Sequence, residues 1–454
     1  MTGASLKQAW RQHAASNLPR YTSYPTALSF AAVADDRQAR EWAAATGPAD
    51  ALSLYVHTPF CRRLCWYCGC HTTVTQDYDR IAAFVSVLRA EIDLWAEAVG
   101  PHGGAAHLHF GGGSPNALAP EDFADLVSLL RTRFAVQAGA EVAVELDPGT
   151  LSPAFTDALA EAGVTRASLG VQTFDPAVQA KVNRIQPVEL VAAAVGRLRR
   201  NGIGSVSFDL MYGLPGQTPA NVASSVAAAL EFRPDRVAVF GYAHVPWMKK
   251  HQQMICDGDL AGLEGRWAQA EAADEVLVGA GYNRIGLDHY ALPDDALSRA
   301  ALDGRLKRNF QGYTDDPAPV MVPLGPSSIG QFGAGFVQNF TGLDKWRDAV
   351  GSGFLPVARE RELGREDRLR SEVIERLMCD LGVDVGALCR AHGFDQGFLD
   401  ENLSSTAALQ PDGLSRVIDR RVEIPPAARR LARVVAARFD GLLHAGGARH
   451  SMSV

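Results

Sequence analysis

No run of apolar residues in the 454-residue chain approaches the ~18–20 that a membrane helix requires. The opening stretch, MTGASLKQAWRQHAAS, lacks a continuous apolar core of signal-peptide length. A cytoplasmic protein without a membrane span is therefore expected. There is no excess of positive charge either. The net charge is −7, which removes the usual driving force for non-specific nucleic-acid binding. An anionic partner then has to be held by local groups of Arg and Lys. Cysteine is scarce, with seven in all. Cys256, Cys379 and Cys389 stand singly, which is not the pattern of a secreted disulfide framework. They read as buried apolar residues. Hydrophobic residues at 47% and charged residues at 21% exclude general disorder, and the length allows two or three domains.

What is present begins with an alternation. Short β-like runs at 52–57, 107–110, 141–146, 166–172, 205–213 and 236–242 are each followed by a helical pattern. Six such units predict an α/β fold with parallel strands, as a full or partial barrel or a doubly wound sheet. Most runs end in polar or glycine-rich stretches: HTPFC, GGGSP, DPGT, QTFD, YGLPGQ and AHVP. In such folds the C-terminal ends of the strands carry the chemistry. Beyond about residue 340 the alternation stops. SEVIERLMCDLGV reads as a helix, and so does PPAARRLARVVAARFDGLL, where Leu431, Val434, Val435, Phe439 and Leu442 fall at helical spacing behind a proline. The expected organisation is an N-terminal arm over 1–35, an α/β barrel over 36–340 and a small helical domain over 341–454. A winged-helix look in that last domain invites a DNA reading. A lid over the barrel suits the acidic chain better.

The other four cysteines crowd into YVHTPFCRRLCWYCGCH, residues 55–71. Cys61, Cys65 and Cys68 form C-x3-C-x2-C, with Cys70 two residues on. A structural zinc site takes four closed ligands, usually as two separated pairs, and no second pair exists here. A cubane iron–sulfur cluster is larger and suits thiolates. Three cysteines on one loop hold three irons and leave the fourth open to a small molecule. The GGGSP loop, Gly111 to Pro115, lets backbone approach such a ligand closely. Alone it is equally an ordinary tight turn, and it lacks the G-x-G-x-x-G spacing of a dinucleotide site.

C-x3-C-x2-C after the first strand of a repeated βα fold resembles the radical S-adenosylmethionine (SAM) enzymes. A closer likeness runs along most of the chain in order: PRYTSYPT, SLYVHTPFC with its CGC, GGGSP, GVQTFD, VNRIQ, DLMYGLPGQT, YAHVP, DHYALPDD and RNFQGYT. These stretches resemble the oxygen-independent coproporphyrinogen III oxidases. The resemblance implies a partial (β/α)6-type barrel, with a [4Fe–4S] cluster on Cys61, Cys65 and Cys68. It implies two SAM molecules, the first touching Tyr55, Gly112, Glu145 and Ile329. The second would touch Tyr67, Gly113, Ser114, Gln172, Arg184, Asp209 and Ala243. It implies a 5′-deoxyadenosyl radical that starts oxidative decarboxylation of coproporphyrinogen III to protoporphyrinogen IX. The partners implied are that substrate, a one-electron donor and a terminal electron acceptor, with no nucleic acid. A monomer is expected.

The residues suit that chemistry. Glu145 can accept hydrogen bonds from an ammonium or ribose, Asp209 can grip a ribose diol, and Arg184 can pair with a carboxylate. Four substrate carboxylates make Arg20, Arg62 and Arg63 candidate clamps. Plainer readings stand beside these. Arg62 and Arg63 can be solvated loop charges, and Glu145 and Asp209 can be helix caps. His57 reads as packing the loop or donating near the cluster. His107 and His109 read as facing the barrel interior or the helices. Gln311 and Tyr313 fall in a loop over the substrate or in an ordinary turn. Ser114 stands where the family usually has threonine, and GPSSIG near Ile329 carries an extra proline. The rival readings are a haem-binding chaperone of the same superfamily, a radical enzyme acting on another tetrapyrrole, and a structural iron–sulfur or zinc protein. Cys70 and the PRYTSYP arm argue against the chaperone.

Overall fold

Strands whose residues of one parity are apolar, and of the other polar or small, build the centre of the molecule. The computed structural model describes residues 6–443. The extremes of the expected arm and C-terminal domain, 1–5 and 444–454, lie outside the described residues. The strands β1 (Leu52–Thr58), β2 (Ala105–Gly112), β3 (Glu141–Leu146), β4 (Arg166–Gln172), β5 (Ser205–Tyr212) and β6 (Arg236–Gly241) lie side by side in that order. Every neighbouring pair among them is parallel. The helices α1 (Tyr78–Ala98), α2 (Pro120–Arg133), α3 (Pro153–Glu161), α4 (Val188–Arg200), α5 (Pro219–Leu230) and α6 (Leu263–Gly279) follow them in the chain.

Leu54 and Val56, Val142 and Val144, Val206 and Phe208 join the helices in one apolar cluster. The alternate residues, Tyr55 and His57, Ala143 and Glu145, Ser207 and Asp209, take the other face. Parallel strands buried on both faces usually run apolar throughout. Here one parity is polar, which suits a ligand rather than a packed core. The helices form where the sequence supplies a stripe and a start. In α1, Ile81, Phe84, Val85, Leu88, Ile92 and Trp95 are buried at spacings of three and four, and the Asp77 side chain accepts from the Asp79 amide. Ser152 and Thr218 cap α3 and α5, each with proline in first position.

The expected partial barrel is the centre of a wider sheet of thirteen strands. Beyond β6 lie β7 (Asn283–Ile285) and β8 (His289–Ala291), antiparallel. A separate hairpin pairs β9 (Lys307–Asn309) with β10 (Gly312–Thr314). On the other side β11 (Val320–Leu324) runs parallel to β1. The antiparallel strands β12 (Ile329–Phe332), β13 (Gly335–Asn339) and β14 (Val357–Glu362) extend it. The sheet therefore runs past residue 340, where the βα alternation ends, because its last strands are linked without the βα period. The N-terminal ends of the central strands are closed by ion pairs: Arg166 with Glu141 at 3.0 Å, and Arg236 with Asp295 at 2.7 Å.

The C-terminal region begins with α7 (Arg365–Cys379) and includes a three-stranded sheet of β15 (Gly382–Asp384), β16 (Arg416–Ile418) and β17 (Arg421–Glu423). It is therefore not purely helical. The PPAARRLARVVAARF stretch is also not one helix. It runs as 3₁₀ over Pro426–Leu431, α over Ala432–Ala436 and 3₁₀ over Ala437–Phe439. Leu431, Val434, Val435 and Phe439 are buried as their spacing implies, and Leu442 is half-buried. The arm is ordered. Leu6, Trp10, Tyr21 and Tyr24 share an apolar cluster with Leu369, Leu377 and Val435. Trp10 Nε1 donates to the Asp412 carbonyl at 2.7 Å, and Tyr21 Oη to Asp440 at 2.9 Å. No described helix is long and apolar enough to cross a membrane.

Candidate active site

The cysteine loop leaves β1 at its C-terminal end, between the two-residue strands Phe60–Cys61 and Thr73–Val74. The adjoining glycine loop is sewn to it: the Gly113 amide donates to the Thr58 carbonyl at 2.8 Å, and the Ser114 amide to Phe60 at 2.7 Å. Cys61 Sγ lies 3.7 Å from Ser114 Oγ. Arg184 Nη1 reaches Cys65 Sγ at 3.6 Å. Cys70 holds the Cys68 thiol down and is itself pushed up by Cys68. Burial pushes Cys61 up to about 11.

Among the described residues, no three His, Cys, Asp or Glu side chains converge closely enough to hold one metal ion. A zinc-type site needs that convergence. A cluster, in which each thiolate takes its own iron, does not. Cys61, Cys65 and Cys68 thus fit the cluster by donor chemistry, and Cys70 stands beside them as a partner of Cys68.

The remaining mouth residues form a cradle. Gly112 has φ +102°, and a Cβ there would lie 2.4 Å from the His57 ring. A Cβ on Gly113 would lie 2.6 Å from the Phe60 carbonyl, and one on Gly111 2.9 Å from the Glu145 carboxylate. Gly112, by its φ, and Gly113, by its backbone contact, take only glycine, whereas at Gly111 the Glu145 side chain would have to move. Tyr55 Oη lies 3.2 Å from His57 Nδ1, and His57 Nε2 lies 3.0 Å from the His71 carbonyl. Burial lowers the His57 pKa, so it is neutral, donating to the carbonyl through Nε2 and accepting from Tyr55. His57 thus packs the loop. Ile329 begins β12, past the end of β11 that pairs with β1.

Glu145 accepts from the Gly112 amide at 3.1 Å and sits 3.1 Å from His109 Nε2. Burial raises its pKa, but the His109 contact and the Gly112 amide outweigh it, and the net shift is downward. Asp209 is pushed up to about 7, first by burial and then by the charge of Glu145. Neither is a helix cap, since Ser152 and Thr218 hold those posts. Two carboxylates facing one polar mouth suit a ligand with a positive charge and hydroxyl donors.

Arg184 is more occupied than its sequence reading implies. It is paired with Asp147 at 3.1 Å and donates to the Gly170 carbonyl at 2.7 Å, leaving only Nε buried without a hydrogen-bond partner. Gln172 stands beside it with φ +69°, a strained conformation for a non-glycine residue. Ala243 follows β6, and its carbonyl accepts from Gln252 at 3.3 Å. Gln311 lies on the hairpin between β9 and β10 and donates toward Met321 of β11. Tyr313 instead donates to the Met378 carbonyl at 2.9 Å, a structural tie to α7. Arg62 and Arg63 are exposed loop charges. Arg20 lies away from the cysteines, donating to Gly241 at 3.0 Å. His107 faces inward, 3.5 Å from Asp316.

Sequence reasoning missed one element. Lys249, His251 and Gln252 reach back to the cysteine loop and donate to the carbonyls of Cys70, Cys68 and Tyr67 at 2.9, 2.8 and 3.0 Å. They are 179 to 185 positions from their partners, and no local motif marks them.

The model of the Radical SAM superfamily matches residues 55–228. The chain is 45% identical to an oxygen-independent coproporphyrinogen III oxidase of Bradyrhizobium diazoefficiens, over 96% of this chain and 97% of that one. It is 43% identical to the one of Paracoccus denitrificans, over 94% of each. Among solved structures, coproporphyrinogen III oxidase of Escherichia coli, described as a radical SAM enzyme, superimposes with a TM-score of 0.89 at 34% identity. That likeness covers 94% of this chain and all of the other.

Proposed function

The chain belongs to the oxygen-independent coproporphyrinogen III oxidases of the radical SAM superfamily, and on that premise we propose that it converts coproporphyrinogen III to protoporphyrinogen IX by oxidative decarboxylation. The observation that carries the reading is the placement of Cys61, Cys65 and Cys68 on one loop at the polar mouth of the half-barrel. When bound, the [4Fe–4S] cluster and SAM supply one-electron cleavage and a primary carbon radical able to take hydrogen from an unactivated propionate. The chain's own residues bind and orient. Cys61, Cys65 and Cys68 hold the cluster. Glu145, Gly112, Tyr55 and Ile329 receive one SAM. Tyr67, Gly113, Ser114, Gln172, Arg184, Asp209 and Ala243 receive a second, Arg184 being oriented by its pair with Asp147. Gln311 faces the substrate.

Each propionate loses one hydrogen atom, one electron and carbon dioxide to become a vinyl group. SAM, when bound, would supply the acceptor for that hydrogen, and a terminal acceptor would take the electron. The described parts of the arm (6–35) and of the C-terminal region from α7 (365–443) cover the mouth of the catalytic barrel, whose sheet extends to Glu362. The protein acts as a cytoplasmic monomer supplied by a one-electron donor. The test is an anaerobic assay of reconstituted protein with reductant, SAM and coproporphyrinogen III. Protoporphyrin after oxidation of the products, matched by 5′-deoxyadenosine, is the expected result. SAM cleavage with surviving coproporphyrinogen would overturn the substrate assignment.

A further inference from the structure

On the β5–β6 side of the mouth, four separate elements each bring one guanidinium group to the same place. Arg20 comes from the arm, Arg266 from α6, Arg308 from β9 and Arg433 from the short helix Ala432–Ala436. Arg20 donates to the carbonyl of Gly241, and Arg266 donates to that of Tyr242 at 2.9 Å. A Cβ on Gly241 would lie 3.3 Å from Arg266 Nη2 and 2.8 Å from Tyr212 Oη, so these groups crowd one point. Arg308 donates to the carbonyls of Tyr21 and Arg20 at 3.0 and 3.3 Å. Its Nη1 is buried with no hydrogen-bond partner. Arg20, Arg308 and Arg433 all bear on one carboxylate, Asp288, which already accepts from His289 at 2.8 Å. Burial first, and then the charge of Arg20, bring Arg433 down to about 10.

The same region shows what structural pairing looks like. Arg429 meets Asp274 at 3.1 Å, Arg430 meets Glu271 at 2.8 Å, and Arg284 meets Asp274 at 2.6 Å. There the chain supplies carboxylates at close range. At the mouth, Arg20 and Arg308 give their N–H groups to backbone carbonyls instead. Carbonyls carry no charge, so beside the single carboxylate of Asp288 the Arg20 and Arg308 guanidinium groups keep a net positive charge for an anion to meet. Tyr212 and Gly241 end β5 and β6, and Asp209 lies on β5, so Arg20 and Arg266 meet the chain at the C-terminal ends of those strands.

We propose that Arg20, Arg266, Arg308 and Arg433 form a binding site for the carboxylate groups of a polyanionic tetrapyrrole. This rests on the reading of the chain as acting on coproporphyrinogen III, whose propionates supply such groups. The arm and C-terminal domain then contribute binding groups, and the substrate spans the space between the cysteine loop and this set.

The test uses oxidised coproporphyrin III as a non-reacting probe, titrated by fluorescence onto anaerobic holoenzyme beside its uncharged tetramethyl ester. Arg20→Gln and Arg308→Gln are each expected to weaken coproporphyrin III binding about tenfold or more, the usual scale for a charge-assisted bond. Arg308→Lys is expected to recover part of that loss. Ester binding is expected to be weak and unchanged by the substitutions. Iron content of each variant reports folding, and if Arg308→Gln does not fold, the exposed Arg20 side chain decides the matter. Wild-type affinity for coproporphyrin III in both glutamine variants would overturn the site, leaving the arginines as ties between arm and barrel. If wild type ignores coproporphyrin III but binds another porphyrin polycarboxylate through Arg20, the anion site stands and the substrate reading falls.

Discussion

Ser168 joins two carboxylates across the mouth: it stands beside Glu145 in the sheet register and donates to Asp209 at 3.3 Å. Glu145 is held ionised by His109 and the Gly112 amide, while Asp209, one strand beyond Ser168, is pushed up to about 7 by burial and by that neighbouring charge. Below about pH 7 the two acids thus occupy different protonation states.

One consequence is a pH-dependent SAM affinity. Below about pH 7 the free protein carries a proton on Asp209, which a ligand offering hydroxyl donors has to displace. Affinity is expected to fall with acidity, approaching about tenfold per pH unit well below that value. Asp209→Asn should bind weakly at pH 8 and lose this slope. Equilibrium SAM titration of reconstituted protein between pH 6 and 8 checks it, and an unchanged slope in the variant would assign the effect elsewhere.

Cysteine substitutions separate ligands from neighbours. Alanine at Cys61, Cys65 or Cys68 should abolish the chelatable iron and its visible absorption after reconstitution. Cys70→Ala should keep the cluster, because Cys70 acts on Cys68 and not on iron. Iron and sulfide analysis distinguishes the two outcomes, and a cluster lost in Cys70→Ala would make it a ligand.

Gln252 tests the strap. Its buried amide joins the Tyr67 and Ala243 carbonyls and accepts from the Val245 amide at 2.6 Å. Gln252→Ala leaves these groups unsatisfied, a cost of about 1–3 kcal/mol each when burial persists. Faster loss of cluster iron to a chelator is the expected result, with Gln252→Glu restoring only the acceptor half. Wild-type retention in Gln252→Ala would make the strap irrelevant to the cluster.

Glu91 governs stability under the barrel. It accepts from the Gly325 amide, Asn339 Nδ2 and Trp346 Nε1 at 2.7, 2.7 and 3.0 Å. Burial nonetheless pushes its carboxyl from 4.5 up to about 8. The folded chain keeps a proton that the unfolded chain releases, so its contribution declines as pH rises from about 4.5 to about 8 and levels off above. Glu91→Gln should flatten this part of the profile, and should cost about 1–3 kcal/mol by setting an amide donor against other donors. Urea midpoints across that range are the measurement.

Gly112→Ala should be more damaging than its size suggests. The new methyl meets the His57 ring at 2.4 Å in a backbone conformation that L-residues rarely adopt. Beyond ~1–3 kcal/mol of strain, it dislodges the Tyr55–His57–His71 chain. SAM binding is expected to disappear while the cluster persists, read by titration and iron content.

Much of this site was legible because its signals are local. EVAVEL and RASLGVQ coincide with β3 and β4, and the cysteines sit at a strand end as their spacing requires. The polar parity of Glu145 and Asp209 follows from the period of two. Two kinds of feature were not legible. Three-residue strands such as those of the 307–314 hairpin are too short to show a period. The segment 426–439 is buried on most sides once folded, arginines included, so a one-sided helical stripe describes it poorly, and its breaks into 3₁₀ turns leave no mark in the spacing. Arg184 stood out in the sequence as a possible carboxylate partner, but its own partner Asp147 did not, since the pair forms only through the loop geometry after β3.

The union of arm and C-terminal domain also sets an order of events during synthesis. Trp10 finds Asp412 402 positions later. At ~5–20 residues per second the arm waits on the order of tens of seconds on the ribosome for its partner. By then the strands from Leu52 to Leu324 have already emerged, so the contact that joins the two ends of the chain forms only after the barrel strands are complete.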